Sequence, residues 1–366
     1  MSVSEFFSDL GKWLTSKWSE KSSQPTYERV LADRTTAKLN PTPIKANQHY
    51  YRVVLAQMYI TKSVDFGQRR FPAVHSLVQA TFGSTTIEIP NIADTSRLGA
   101  KEAQGAKAIV AQNFHLTPAM PFKGGTLKLN AGLIEVMGDN YINSFIQVLG
   151  GFAELLVVPQ LSAALHVAKP LLTGIHKLVT MGNGSVKLQV EDTFSASGIQ
   201  DCYLVVIGAP NVKTDRLWVV DNQLVVGRGL GQGEHSPYTE HEFMLFRFEV
   251  FEERDDWKEL TAIAEPFKEA QLALGRGGKK EAAAAINRAI AAALNAPELT
   301  EAQQTIAASE LRELFEARKR VLGGQGLGQA PLISLDDLMR SPAMSVEDAL
   351  DHGPLNLSQA LVSEND

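Results

Sequence analysis

Residues 242–252 alternate too regularly to be anything but a strand. Phe243, Leu245, Arg247, Glu249 and Phe251 fall on one face of an extended chain, and Met244, Phe246, Phe248 and Val250 on the other. Side chains on a helix recur every 3.6 residues, so a period of two specifies a sheet. Similar patterns run through residues 51–59, where Tyr51, Val53, Leu55, Gln57 and Tyr59 alternate with their neighbours, and through 108–116, 126–136, 186–192, 202–207 and 217–226. Residues 74–82 and 85–89 read as a hairpin around Gly83-Ser84. These eight or nine strands are separated by turn signals, and most are followed by no helix. A doubly wound α/β fold needs a helix after most strands. The pattern therefore predicts a mainly β fold with α: an antiparallel β-sandwich over residues 49–254.

One helical interruption is expected inside it, over residues 140–179. Ile142, Phe145, Ile146, Leu149, Phe152 and Leu156 form one apolar stripe, and after Pro159 a second runs from Leu161 to Val179. The pair reads as an inserted helical hairpin packed on a core. Insertion into a membrane would carry Glu154, Lys169, Pro170, His166 and His176 into hydrocarbon. Before the sheets, residues 22–48 are rich in Ser, Pro, Thr and Asn and read as a linker or an extended arm. Residues 1–21 read as an amphipathic helix with Phe6, Leu10, Trp13, Leu14 and Trp18 along one stripe. Its acids and lysines balance, which favours docking to a protein partner or to the chain itself over a membrane surface.

Residues 255–323 change style. Segments 258–274 and 279–294, the second strongly alanine-rich, are separated by Gly275-Arg276-Gly277-Gly278. Thr300-Glu301-Ala302-Gln303 has the form of a capping box and begins a third segment that ends with Arg318, Lys319 and Arg320. This predicts a helical hairpin or a three-helix domain. Trp257 and the acids Asp255 and Asp256 join it to the last strand.

Residues 324–366 form a glycine hinge and a tail in which one short phrase recurs three times with a spacing of 11 residues. Ser334, Ser345 and Asn356 are suited to capping a helix N-terminus, and Asp337, Asp348 and Gln359 stand three residues on. Pro342 and Pro354 fall between the copies and stop any helix from running through. Each unit reads as a short capped helix, marginal alone and ordered against a partner surface. The apolar anchors are Ile333, Leu335, Leu338 and Met339; Met344, Val346 and Leu350; Leu355, Leu357 and Leu361. Three linked sites gain avidity when the partner presents several grooves.

Composition limits the alternatives. The formal charge of −6 and the absence of a strong basic excess argue against nucleic acid. The single cysteine, Cys202, excludes an internal disulfide framework and sits in a strand pattern as a small buried hydrophobe. No secretory signal and no run of 18 apolar residues is found, so cytoplasmic location is expected. The most phosphate-like stretch is Gly227-Arg228-Gly229-Leu230-Gly231-Gln232-Gly233. A nucleotide loop needs a helix after it, and Glu234-His235-Ser236-Pro237 begins none, so an inter-strand loop is expected. His235 and His241 with Glu234, Glu240 and Glu242 match no tetrahedral ligand spacing. No catalytic residue, cofactor or metal is assigned. The expected function is that of a non-enzymatic adaptor or structural component, docking through its tail to a protein partner or to its own body, with self-association as a variant. Two further readings are a latent effector released by cleavage near Met339-Arg340-Ser341 and active on a membrane through residues 140–179, and an enzyme with an unmarked site.

Overall fold

The computed structural model describes residues 24–60, 64–65, 68–82, 85–94, 109–137, 185–231 and 233–323. The helical hairpin expected over residues 140–179, the N-terminal helix and the tail lie outside the described residues. The chain divides at Glu253/Arg254 into two compact units.

The first unit is built from antiparallel strands: β1 Thr26–Val30, β2 Tyr50–Ile60, β3 Val64–Asp65, β4 Gln68–Phe82, β5 Thr85–Asp94, β6 Ile109–His115, β7 Met120–Pro121, β8 Thr126–Met137, β9 Ser185–Ser195, β10 Cys202–Ile207, β11 Leu217–Val220, β12 Gln223–Gly227, β13 His235–Pro237 and β14 Phe243–Phe251. They form three sheets. A six-stranded sheet runs β1-β10-β14-β2-β6, with β7 also on β2. A five-stranded sheet runs β3-β4-β8-β9, with β5 also on β4. β11-β12-β13 form a small third sheet.

The two larger sheets share one core. Val53, Leu55, Leu204, Met244, Phe246 and Phe248 meet Val74, Val78, Leu127, Leu129, Leu133 and Phe194 there. Phe194 and Phe248 touch with ring centroids 4.7 Å apart. The other face of the six-stranded sheet is also covered. Tyr59, Val205, Ile207, Phe243 and Leu245 pack with Leu217, Val219 and Leu224 of the small sheet. This explains why β10 reads Leu204-Val205-Val206-Ile207 without polar alternation: a strand covered on both faces loses its polar face. Each large side chain buried in this way contributes about 1.5–3 kcal/mol.

Three expectations are corrected by this geometry. The alternation read over residues 51–59 is broken by a bulge: Leu245 faces Gln57 while Phe246 faces Leu55, so Ala56 is extra. Val53 and Leu55 enter the two-sheet core, whereas Ala56 and Tyr59 face the small sheet. Residues 217–226 are two strands, because Asp221 and Asn222 both have positive φ and close a two-residue hairpin between Val220 and Gln223. Fourteen strands are therefore described where eight or nine were expected, the others being short pieces such as β3, β7 and β13.

Residues 24–49 lie along the sheets. β1 extends the six-stranded sheet beside β10. Beyond it, Thr36 N–H donates to Val219 O at 3.1 Å, Ile44 N–H to Ile199 O at 3.0 Å and Asn47 N–H to Phe122 O at 2.7 Å. The Thr and Asn content of this arm supplies local partners for its backbone, as where Asn40 Oδ1 accepts from Thr42 N–H at 3.0 Å.

The described residues of the second unit form three helices: α1 Thr261–Gly275, α2 Lys279–Leu294 and α3 Glu301–Gly323, after a 3-10 turn at Asp255–Glu259. Ala282, Ala285, Ala289 and Ala293 place small side chains on one stripe of α2. They pack with Ile263 and Phe267 of α1, Leu311 and Phe315 of α3, and Trp257. The capping box expected at α3 is half made. Gln303 N–H donates to Thr300 Oγ1 at 3.3 Å. The Gln303 side chain, however, turns to Arg254, accepting from its N–H at 3.1 Å and donating to its carbonyl at 2.7 Å. No helix among the described residues is long and apolar enough to cross a membrane.

Candidate functional site

Among the described residues a group of charged side chains lies where β14, β2 and β10 run side by side. Register places Arg247 beside Tyr203, Glu249 opposite Arg52 and Phe251 opposite Tyr50. Strand alternation then puts Arg247, Glu249 and Phe251 on the face of the sheet that looks away from the two-sheet core. The charges alternate along it. Arg52 Nη1 lies 3.7 Å from Glu249 Oε2, Arg247 Nε lies 3.6 Å from Glu249 Oε1, and Arg247 Nε lies 3.7 Å from Asp201 Oδ1. Each guanidinium also covers a ring: Arg52 over Phe251 at 5.4 Å and Arg247 over Tyr203 at 5.6 Å.

Asp201 ends this ribbon and is 6% exposed. Its Oδ2 accepts from Asn40 N–H at 3.2 Å, tying the N-terminal arm to the start of β10. Burial pushes its carboxyl up to about 6, against the pull of the Asn40 hydrogen bond and the Arg247 charge. His115 is held below the usual imidazole range by burial first and by Arg52 second. The ribbon can take up a proton near pH 6 at Asp201. Its guanidiniums are engaged with carboxylates and rings.

The glycine-rich loop between β12 and β13 folds around a carboxylate of its own. Arg228 N–H donates to Glu234 O at 3.0 Å, and Gly231 N–H to Glu234 Oε2 at 3.2 Å. A Cβ on Gly227 would stand 2.3 Å from the Glu234 carbonyl oxygen, and one on Gly229 would stand 2.4 Å from Glu234 Oε2. The backbone approach requires glycine at 227, whereas at 229 the end of the Glu234 side chain can move aside. A strand, β13, follows the loop where a nucleotide loop has a helix N-terminus.

The remaining candidates are dispersed. His241 lies beside the Tyr238 ring at 6.5 Å. Among the described residues no group of three His, Cys, Asp or Glu side chains is placed to hold a metal ion. Cys202 is buried, and burial raises its thiol to about 11. His75 lies buried in the five-stranded sheet and is lowered to about 4 by that burial. All the docking residues assigned from the sequence lie outside the described residues: the tail anchors, the caps Ser334, Ser345 and Asn356, and the N-terminal stripe from Phe6 to Trp18. The charged ribbon was missed in the sequence. Arg247 and Glu249 were visible on one strand face, but Arg52, Asp201 and Asn40 reach them only through register and the course of the arm.

The chain matches no protein-family model, no curated protein and no solved structure.

Proposed function

We propose that this chain is a non-enzymatic adaptor or structural component of a multi-protein assembly, working in the cytoplasm and docking through the three short units of its tail. In this reading the two larger sheets form a β-sandwich with a helical hairpin inserted over residues 140–179, and the three helices carry the tail. The observation that carries the proposal is the threefold phrase at residues 333–339, 344–350 and 355–361, with a cap residue in each copy and a proline between copies. Short capped helices with two or three apolar anchors are the form in which amphipathic segments enter grooves. The described ionic groups support a structural role for the sheet unit, since the ribbon and the glycine loop are occupied by the chain's own side chains.

The test uses the full chain as bait. Leu335, Leu338, Val346, Leu350, Leu357 and Leu361 are changed together to serine, and capture of a defined partner is compared with that by the unchanged chain. Loss of capture with unchanged thermal unfolding is expected. Unchanged capture would remove the tail from the docking role, and a lowered melting temperature would make the tail part of the fold.

A further inference from the structure

We infer that the C-terminal segment 324–366 docks on a basic pole of its own three-helix unit, where the end of α1, the start of α2 and the end of α3 come together. The inference rests on the tail-docking reading above and names the surface that receives the tail.

The pole follows from topology. α1 and α2 are joined by residues 276–278, and α2 and α3 by residues 295–300. Helices joined by connections this short and packed on one core run in alternating directions. The C-terminus of α1, the N-terminus of α2 and the C-terminus of α3 therefore share one end. That end carries the exposed bases Arg276, Lys279, Lys280, Lys319 and Arg320. Its acids are Glu281 and Glu316, and Glu316 is engaged by Lys319 at 3.1 Å. The opposite end carries Asp255, Asp256, Glu259, Glu298 and Glu301 against two bases, Arg254, which pairs with Asp256 at 2.6 Å, and Lys258. The unit is thus polarised along its helices. Lys279 and Lys280 stand in the first turn of α2, where the helix dipole disfavours cations, so local helix stability does not account for their position.

The occupant is indicated by charge and by attachment. Residues 324–366 contain seven acids and one base, Arg340. Taking these from the whole chain (35 less 1 basic, 41 less 7 acidic) leaves 34 of each sign, so the formal charge of −6 resides in this segment. The segment leaves α3 at the basic end. The nine residues before Ile333 span at most about 30 Å, enough to bring the first unit back onto the pole or the adjoining face of α3. Asp336 and Asp337 can then meet the bases while Leu335 and Leu338 cover Leu314, which is exposed on α3 before the pole. A leash this short holds the tail at an effective concentration in the millimolar range, so its own pole outcompetes a second copy in dilute solution.

Trypsin tests this on the full chain, because Arg340 is the only lysine or arginine in residues 324–366. Release of the fragment 341–366 is followed by mass spectrometry at low salt. Two variants are compared with the unchanged chain: R276E/K279E/K280E/K319E/R320E, and the milder R276Q/K279Q/K280Q/K319Q/R320Q, whose glutamines keep helix propensity. Neither alters the cleavage site, and circular dichroism checks their folding. Release about tenfold faster in both variants is expected, the order produced by several exposed ion pairs together. About 1 M salt, which shortens screening to about 3 Å, should bring the unchanged chain to the same rate. Equal rates for all three proteins at low salt would overturn the inference. Protection that grows with protein concentration would place the tail on a second copy and overturn the intramolecular assignment. An unprotected tail that still captures a defined partner defeats this inference alone, and an unprotected tail without capture defeats the docking reading as well.

Discussion

Two buried groups in the sheet unit should pull the pH dependence of stability in opposite directions. The Asp201 carboxyl is raised from 3.8 to about 6, and the His75 imidazole is lowered from 6.5 to about 4. A group contributes about 1.4 kcal/mol for each unit by which its folded and unfolded values differ. For Asp201 the folded state binds the proton more tightly than the unfolded chain does. Its contribution therefore rises as the pH falls from 6 to 4, by at most about 3 kcal/mol. For His75 the folded state disfavours the proton, so stability falls as the pH drops from 6.5 to 4, by up to about 3 kcal/mol. In the unchanged chain the two effects nearly offset each other. Asp201→Asn should unmask the histidine and make the protein lose stability steeply between pH 6.5 and 4. His75→Gln should unmask the aspartate and make it gain stability over the same range, and the double variant should follow the unchanged profile. The assay is urea unfolding at pH 7, 6, 5 and 4, followed by fluorescence in a Trp257→Phe background, where every remaining tryptophan precedes residue 254. The reasoning fails if Asp201→Asn leaves the pH profile unchanged, because Asp201 then ionises as it does in the unfolded chain.

Other perturbations separate local from tertiary causes. Gln303→Leu removes both hydrogen bonds to buried Arg254 backbone groups and should cost about 2–4 kcal/mol in thermal unfolding followed at 222 nm. Thr300→Ser, which keeps the cap, should cost little in the same experiment. Ala289→Leu overfills the stripe between the helices and should destabilise by about 1–3 kcal/mol, whereas Ala283→Leu, on the exposed face of α2, should fall within about 0.5 kcal/mol of the unchanged protein. Gly227→Ala forces a Cβ against the Glu234 carbonyl and should cost about 1–3 kcal/mol in urea unfolding; an unaltered midpoint would mean that the loop does not close on Glu234.

The sequence exposes what is periodic and hides what depends on register. The two faces of β14 were readable residue by residue, and Phe243 and Leu245 do part from Met244 and Phe246 into separate cores. The Ala56 bulge was not readable, because its cause is the pairing of Leu245 with Gln57 across a sheet. Asp221-Asn222 was a turn signal lost inside an apolar run, and only its positive φ values separate β11 from β12. At α3 the cap Thr300 was predicted, while Gln303 found a partner 49 residues away that no local motif encodes. The ribbon followed the same rule: Arg247 and Glu249 are near neighbours in sequence, but Asp201 joins them from the bend before β10. The tail is the reverse case, since its period and the residues expected to cap its units are wholly local.

The most direct test of the account is the affinity of the full chain for the partner proposed to receive its tail as the three tail units are disabled one at a time, through Leu335 and Leu338, then Val346 and Leu350, then Leu357 and Leu361. Linked weak sites predict a stepwise loss, with a total gain from linkage on the order of 10²–10⁴ over one unit alone. Full affinity after two units have been disabled would contradict multivalent docking, and so would complete loss on disabling any one.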